Sequence, residues 1–103
     1  MQQFDVCRTR GALRKHAPYL VVLQSDLIDL IRTAVVAPMR PLQGFGPIIK
    51  GLHVVESLDG ESHVLSPEEM AAVPRSVLGE CIGSLAAHRS RIIAALDLLF
   101  TGH

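Results

Sequence analysis

Five histidines and two cysteines are the side chains of this 103-residue protein best equipped for chemistry. His16, His53, His63, His88 and His103 lack any His-x-x-x-His or Cys-x-x-Cys spacing, the patterns that bring metal ligands onto one helix face or one turn. Neither a metal centre nor a cofactor is expected. His53 and His63 flank a predicted hairpin and could face each other, although a solvent-facing cross-strand pair accounts for them equally well. Cys7 and Cys81 read as isolated thiols, and Cys81 as a small buried residue. A Cys-His nucleophile would need an imidazole and an oxyanion-stabilising turn beside one of them, and no local signature supplies either. Asp26 with Asp29, and Glu68 with Glu69, could divide acid and base roles, but capping and turn formation explain each carboxylate. Gly44-Phe45-Gly46 lacks the third glycine or the lysine of a phosphate-cradling loop. These residues describe a protein that binds rather than one that catalyses.

The most polarised stretch is Arg8-TRGALRK-His16, where Arg8, Arg10, Arg14 and Lys15 surround Gly11. It suits an acidic peptide, and it equally suits a solvated loop. Across the chain, 10 Lys+Arg balance 10 Asp+Glu, which disfavours nucleic-acid binding driven by phosphate neutralisation. An apolar content of 49% in a single domain spanning 1–103 leaves surface for an interface, and a homodimer is a reasonable outcome. The apolar runs fall well short of the ~20 residues that span a bilayer. Nothing at the N-terminus has the charged and apolar regions of a signal peptide, so the expected location is cytoplasmic.

Elements that would position these residues can be read along the chain. Phe4 to Cys7 is a short extended segment, and the basic stretch follows it as a loop. Tyr19-LVVL-Gln24 is a mostly buried strand, Leu27 to Arg32 a helical turn, and Thr33-AVVAPM a strand stopped by Pro38 and placed near a sheet edge. Ile48-IKGLHVV reads as a strand interrupted at Gly51. Asp59-Gly60 between two β-branched runs predicts a tight hairpin. Ser66-Pro67-Glu68-Glu69 starts a short helix, and Val73 to Gly79 is extended again. From Leu85 an amphipathic helix capped by Ser84 runs to Gly102, with Leu85, Ile92, Ile93, Leu96, Leu99 and Phe100 on one stripe and Ala94 and Leu98 opposite. Many short strands followed by one helix predict an α+β fold: a small, strongly curved, SH3-like barrel-type antiparallel sheet with one C-terminal helix across it. The helix becomes apolar on a second face and then stops, which leaves its tip ready for a partner.

Four blocks, Leu23-QSDLID, Val35-VAPM, Met70-AAVPRSVLGE and Ile93-AALDLLFTGH, resemble the CcdB family of bacterial toxins from toxin–antitoxin pairs. The string from Met70 to Gly79 is the most specific of them. The resemblance implies a non-enzymatic homodimer that binds the DNA gyrase A subunit and traps gyrase on cleaved DNA. It also implies a CcdA-like antitoxin with an acidic tail as second partner. Carried over by position, the gyrase-facing tip falls on Asp97, Phe100, Thr101, Gly102 and His103, with Leu27 and Ile28 nearby, and the antitoxin-facing loop on Arg8, Arg10, Arg14 and Lys15. The chain departs from the best-known plasmid toxin, which ends in Trp-Gly-Ile and has Asn in place of Asp97. The alternative is an interaction protein of the same fold with a changed target, or an inactive toxin that still binds antitoxin.

Overall fold

A computed structural model describes residues 1–28 and 31–102. Its strands are β1 (Asp5–Thr9), β2 (Tyr19–Val22), β3 (Thr33–Pro41), β4 (Val54–Leu58), β5 (Glu61–Leu65), β6 (Ala71–Pro74) and β7 (Leu78–Ser84), and the helix α1 spans Arg89–Thr101. The strands run in the order β4-β5-β3-β2-β1-β7, with β6 also paired to β3, and every pairing is antiparallel. The fold is α+β, a strongly curved half-barrel sheet with one C-terminal helix.

Strand β3 is central and longer than its prolines suggested. Its first half pairs with β6 and its second with β5, while Leu20 of β2 lies opposite Pro38. The Pro38 carbonyl accepts from the Ser66 amide at 3.0 Å. A strand residue's carbonyl and amide point to the same side, so the amide that proline lacks falls in the gap between β5 and β6 and removes no bond to β2. This is why the strand continues to Pro41 and lies inside the sheet, not near an edge. Between Val36 and Met39 strand β3 changes partner on this side from β6 to β5.

The β4–β5 hairpin forms as its turn residues predict, with Leu58 opposite Glu61 and positive φ at both Asp59 (52°) and Gly60 (80°). Two positive φ angles give the turn the twist that a right-handed strand pair requires. The strand expected from Ile48 begins only at Val54. The amides of Leu52 and His53 both bond to the Ile49 carbonyl, closing a turn where a ladder would otherwise start. Val73 to Gly79 is likewise not continuous, since a 3-10 turn at Arg75–Val77 separates β6 from β7. The terminal helix starts later than Leu85: Ala86–His88 is a 3-10 turn, and Ser84 Oγ accepts only the Ala86 amide, at 3.0 Å, instead of capping α1.

Two apolar clusters cover the two faces of β2, which explains its uninterrupted apolar run. Under α1 lie Phe4, Val6, Val21, Met39, Val54 and Leu65, closed by Leu85 and Ile92. On the other face Cys7, Ala17, Leu20, Val22, Val36 and Leu78 pack together, with Val73 and Val77 against them. Phe4, buried at φ 69°, ties these parts together. Its amide donates to Val22, its carbonyl accepts from Leu85, and its ring lies 5.7 Å from the Arg89 guanidinium. Packing on all sides holds it in a conformation that a bulky residue otherwise avoids.

Candidate functional site

The last turns of α1 are apolar and uncovered. Ile92 and Ala95 are buried and Ile93 and Leu96 half-buried, so the first part of the predicted stripe does pack on the core. Leu98 and Leu99 are exposed, and Phe100 is 70% exposed. Leu99 and Phe100, expected on the core-facing stripe, are therefore not packed into the core. Two polar groups at the tip bond locally: Thr101 Oγ1 donates to the Asp97 carbonyl at 2.7 Å, and Gly102, left-handed at φ 79°, donates its amide to Leu98. The tip is thus a helix end with a left-handed stop, carrying a largely exposed aromatic ring. His103 lies outside the described residues, as does Asp29.

A second apolar group lies in the β2–β3 loop, where Leu27 is 93% exposed and Ile28 is 51% exposed. The helical turn expected over 27–32 is a 3-10 turn at Asp26–Ile28. Its backbone is well held although its side chains are bare. Arg75 donates from Nη2 to the Ile28 carbonyl (3.3 Å) and from Nε to the Ile31 carbonyl (2.7 Å), and Gln24 Nε2 also reaches Ile28 O. Asp26 accepts from the Gln3 amide, and Gln3 Oε1 accepts from Arg89 at 3.0 Å. The loop is therefore anchored to the start of α1, whereas Phe100 and Thr101 sit at the other end, about 18 Å along the axis. The roles of Arg75 and Gln3 had no local signal, because each of these bonds spans 23 or more residues.

The four cations of the basic stretch are not equivalent. Arg8 belongs to β1 rather than to a loop, 3.4 Å from Asp59 and 3.5 Å from Glu80, with its guanidinium 5.8 Å from the Tyr19 ring centre. Tyr19 donates its hydroxyl to the same Asp59 oxygen at 2.8 Å, and burial followed by that hydrogen bond raises its pKa above the usual tyrosine value. Arg10 leans over Gly79, where an added Cβ would stand 3.0 Å from the Arg8 carbonyl and 3.3 Å from Arg10 Cγ. Arg14 and Lys15 occupy the exposed 3-10 turn. Among the described residues Arg10, Arg14 and Lys15 make no ion pair, so this edge carries uncompensated positive charge.

Beside that edge opens a cleft of about 530 Å3 bordered by Lys15, His16, Arg40, Phe45, His53 and Glu68. His53 is buried, not solvent-facing, and it does not meet His63. Its Nδ1 accepts from the Ile49 amide at 2.9 Å, so Nε2 carries the hydrogen and donates to Glu68 at 3.0 Å. Arg40 binds both Glu69 oxygens, at 2.7 and 3.0 Å, and also the His16 carbonyl. His63 packs edge-on against Tyr19 at 5.0 Å. These groups lock loops in place. Among the described residues, no three His, Cys, Asp or Glu side chains gather closely enough to hold a metal ion.

Glu56 offers a pH-sensitive contact between sheet and helix. The hydrogen bond from His88 (2.6 Å), and then that from the Ser57 amide (2.9 Å), hold its carboxyl below the usual carboxylate range. A lowered folded-state pKa adds stability above the unfolded value of about 4.3, and that contribution is lost as pH falls through the folded value. Glu56→Gln is expected to destabilise by under about 1 kcal/mol at pH 7, because the pair is partly exposed. The gap between variant and wild-type melting temperatures should close between pH 5 and about 3. A gap still present at the acid end would show that the ionised Glu56 carboxylate is not its origin.

The cysteines depart most from their sequence reading. Cys7 and Cys81 face each other in the β1–β7 register and form a disulfide, and Cys81 is exposed, not buried. Seventy-four positions separate them, and only the sheet brings them together.

A model of the CcdB protein family matches residues 3–102. Among solved structures, an "Endoribonuclease in complex with its cognate antitoxin from Mycobacterial species" superposes with a TM-score of 0.72 at 10% identity, covering 94% of this chain and 91% of that one. At that identity the likeness is one of fold. The class defined by the match is the toxin component of a toxin–antitoxin pair. The chain belongs to the CcdB family.

Proposed function

We propose that this protein is a gyrase-directed toxin that acts by binding and has no enzymatic activity of its own. Two copies form a homodimer whose helix tips, Asp97, Phe100, Thr101, Gly102 and His103, with Leu27 and Ile28, engage the DNA gyrase A subunit and block religation of cleaved DNA. The observation that carries this reading is Phe100, an aromatic ring 70% exposed at the end of a helix. Exposed aromatic anchors dominate interfaces because they bury much area at little entropic cost. The acidic antitoxin tail meets the opposite kind of surface, the cationic edge of Arg10, Arg14 and Lys15 with Arg8 behind it. No helix among the described residues is long and apolar enough to cross a membrane, which is compatible with action in the cytoplasm.

Expression in cells carrying sensitive or resistant gyrase tests this. Growth arrest with double-strand breaks in the sensitive strain alone is the expected result. Arrest that ignores the gyrase allele would instead favour a changed target on the same fold, and no arrest combined with antitoxin binding would favour an inactive toxin.

A further inference from the structure

We propose that Cys7 and Cys81 are a reversible thiol–disulfide modification site, in which Cys81 exchanges with dithiols and disulfides in solution and Cys7 is the buried resolving sulfur. The site stands independently of the gyrase reading. Cys7 is fully buried in the cluster it forms with Leu20, Val22 and Leu78, while Cys81 is exposed on β7, the last strand of the sheet. The two therefore differ in access although they are register partners. Register shifts lie on both sides of the pair, between Val6 and Cys7 and between Cys7 and Thr9. A bulged ladder has fewer regular hydrogen bonds, so the covalent link holds an edge that the backbone holds less completely. Edge strand β7 then leads directly into the turn and helix that carry the tip.

Exchange follows from this asymmetry. A thiolate of a dithiol reductant attacks Cys81 Sγ; the Cys81–Cys7 bond breaks, and its electron pair leaves on Cys7, which takes a proton. The second thiol of the reductant then attacks its own sulfur in the mixed disulfide and releases Cys81 as a thiol. The reductant departs as a disulfide, having given two electrons and two protons. Oxidation by a small-molecule disulfide such as oxidised glutathione runs in reverse: Cys81 takes one glutathione, and Cys7 displaces it. Exposed disulfides exchange with solution thiols far more readily than buried ones. Opening a link between residues 74 apart frees most of the chain in the unfolded state. It should lower the folding equilibrium constant by roughly 30- to 1,000-fold.

The full chain equilibrated in glutathione buffers of graded ratio, then alkylated and weighed, reads the site directly. The expected result is one reversible transition between species carrying no alkyl group and two, accompanied by a lower urea midpoint for the reduced form. In Cys7→Ser, glutathione should accumulate on Cys81. In Cys81→Ser, Cys7 should stay unmodified until denaturant is added. Two alkylatable thiols in the folded wild type under fully oxidising buffer would overturn the proposal, as would equal reactivity of the two single variants while folded. The wild-type titration decides the matter even if either variant fails to fold.

Discussion

Phe100→Ala is expected to weaken binding to the gyrase A subunit by at least 30-fold and to relieve growth arrest, while leaving folding stability almost unchanged. The two halves of this expectation have separate causes. Phe100 is 70% exposed, so its truncation removes little buried surface and should cost under about 0.5 kcal/mol of stability. At an interface the same ring would be enclosed, and truncating a central aromatic anchor typically costs about 2 kcal/mol or more, a factor of about 30 in Kd. Calorimetric titration of the purified gyrase A breakage domain with wild type and variant measures the first effect, and urea unfolding the second. Deleting residues from Thr101 onward should abolish binding altogether. Unchanged affinity in Phe100→Ala would remove the helix tip from the interface.

Ile92→Ala should do the reverse, lowering stability by about 3 to 4 kcal/mol through a cavity beneath the helix. Ile92 is fully buried and packs in the cluster that joins Phe4, Val21, Met39 and Leu65 to α1. Few neighbours can collapse into the void, because the sheet below is tied by β2 and β3 pairings and the helix start by Leu85, which donates to Phe4, and by Arg89, which donates to Gln3. Domains of this size are stable by only about 5 to 15 kcal/mol, so the loss is a large fraction of the total. The urea midpoint of Ile92→Ala should fall with little change in slope. A loss below about 1 kcal/mol would mean that the helix is not seated on this core. Comparing the two variants separates a helix that presents a tip from one that merely covers the sheet.

Much of the fold was legible in sequence because its signals are local. Asp59-Gly60 supplies the two positive φ angles of a hairpin turn, Gly102 the left-handed end of a helix, and Tyr19 to Val22 the apolar run of a strand buried on both faces. The cationic edge and the apolar tip were likewise visible, since charge and hydrophobic excess survive in the primary order. Where reading failed, the deciding partner was distant. Pro38 stops a strand only if its missing amide is needed, and the opening between β5 and β6 makes it unnecessary. Ile48 to His53 has strand composition but is in no ladder among the described residues, and it turns on the Ile49 carbonyl.

By itself, then, the chain's residue order determined an α+β domain of the CcdB family with an apolar helix end and a basic edge, because turns, periodicity and family motifs are carried by neighbouring residues. Only the tertiary structure decided which of those groups are still free. It showed Arg8 already paired with Asp59 and Glu80, His53 committed to Glu68, and Phe100 left 70% exposed. It also joined Cys7 to Cys81 across 74 positions. Pairings of that kind depend on sheet register and burial, and register is a property of strands meeting in space.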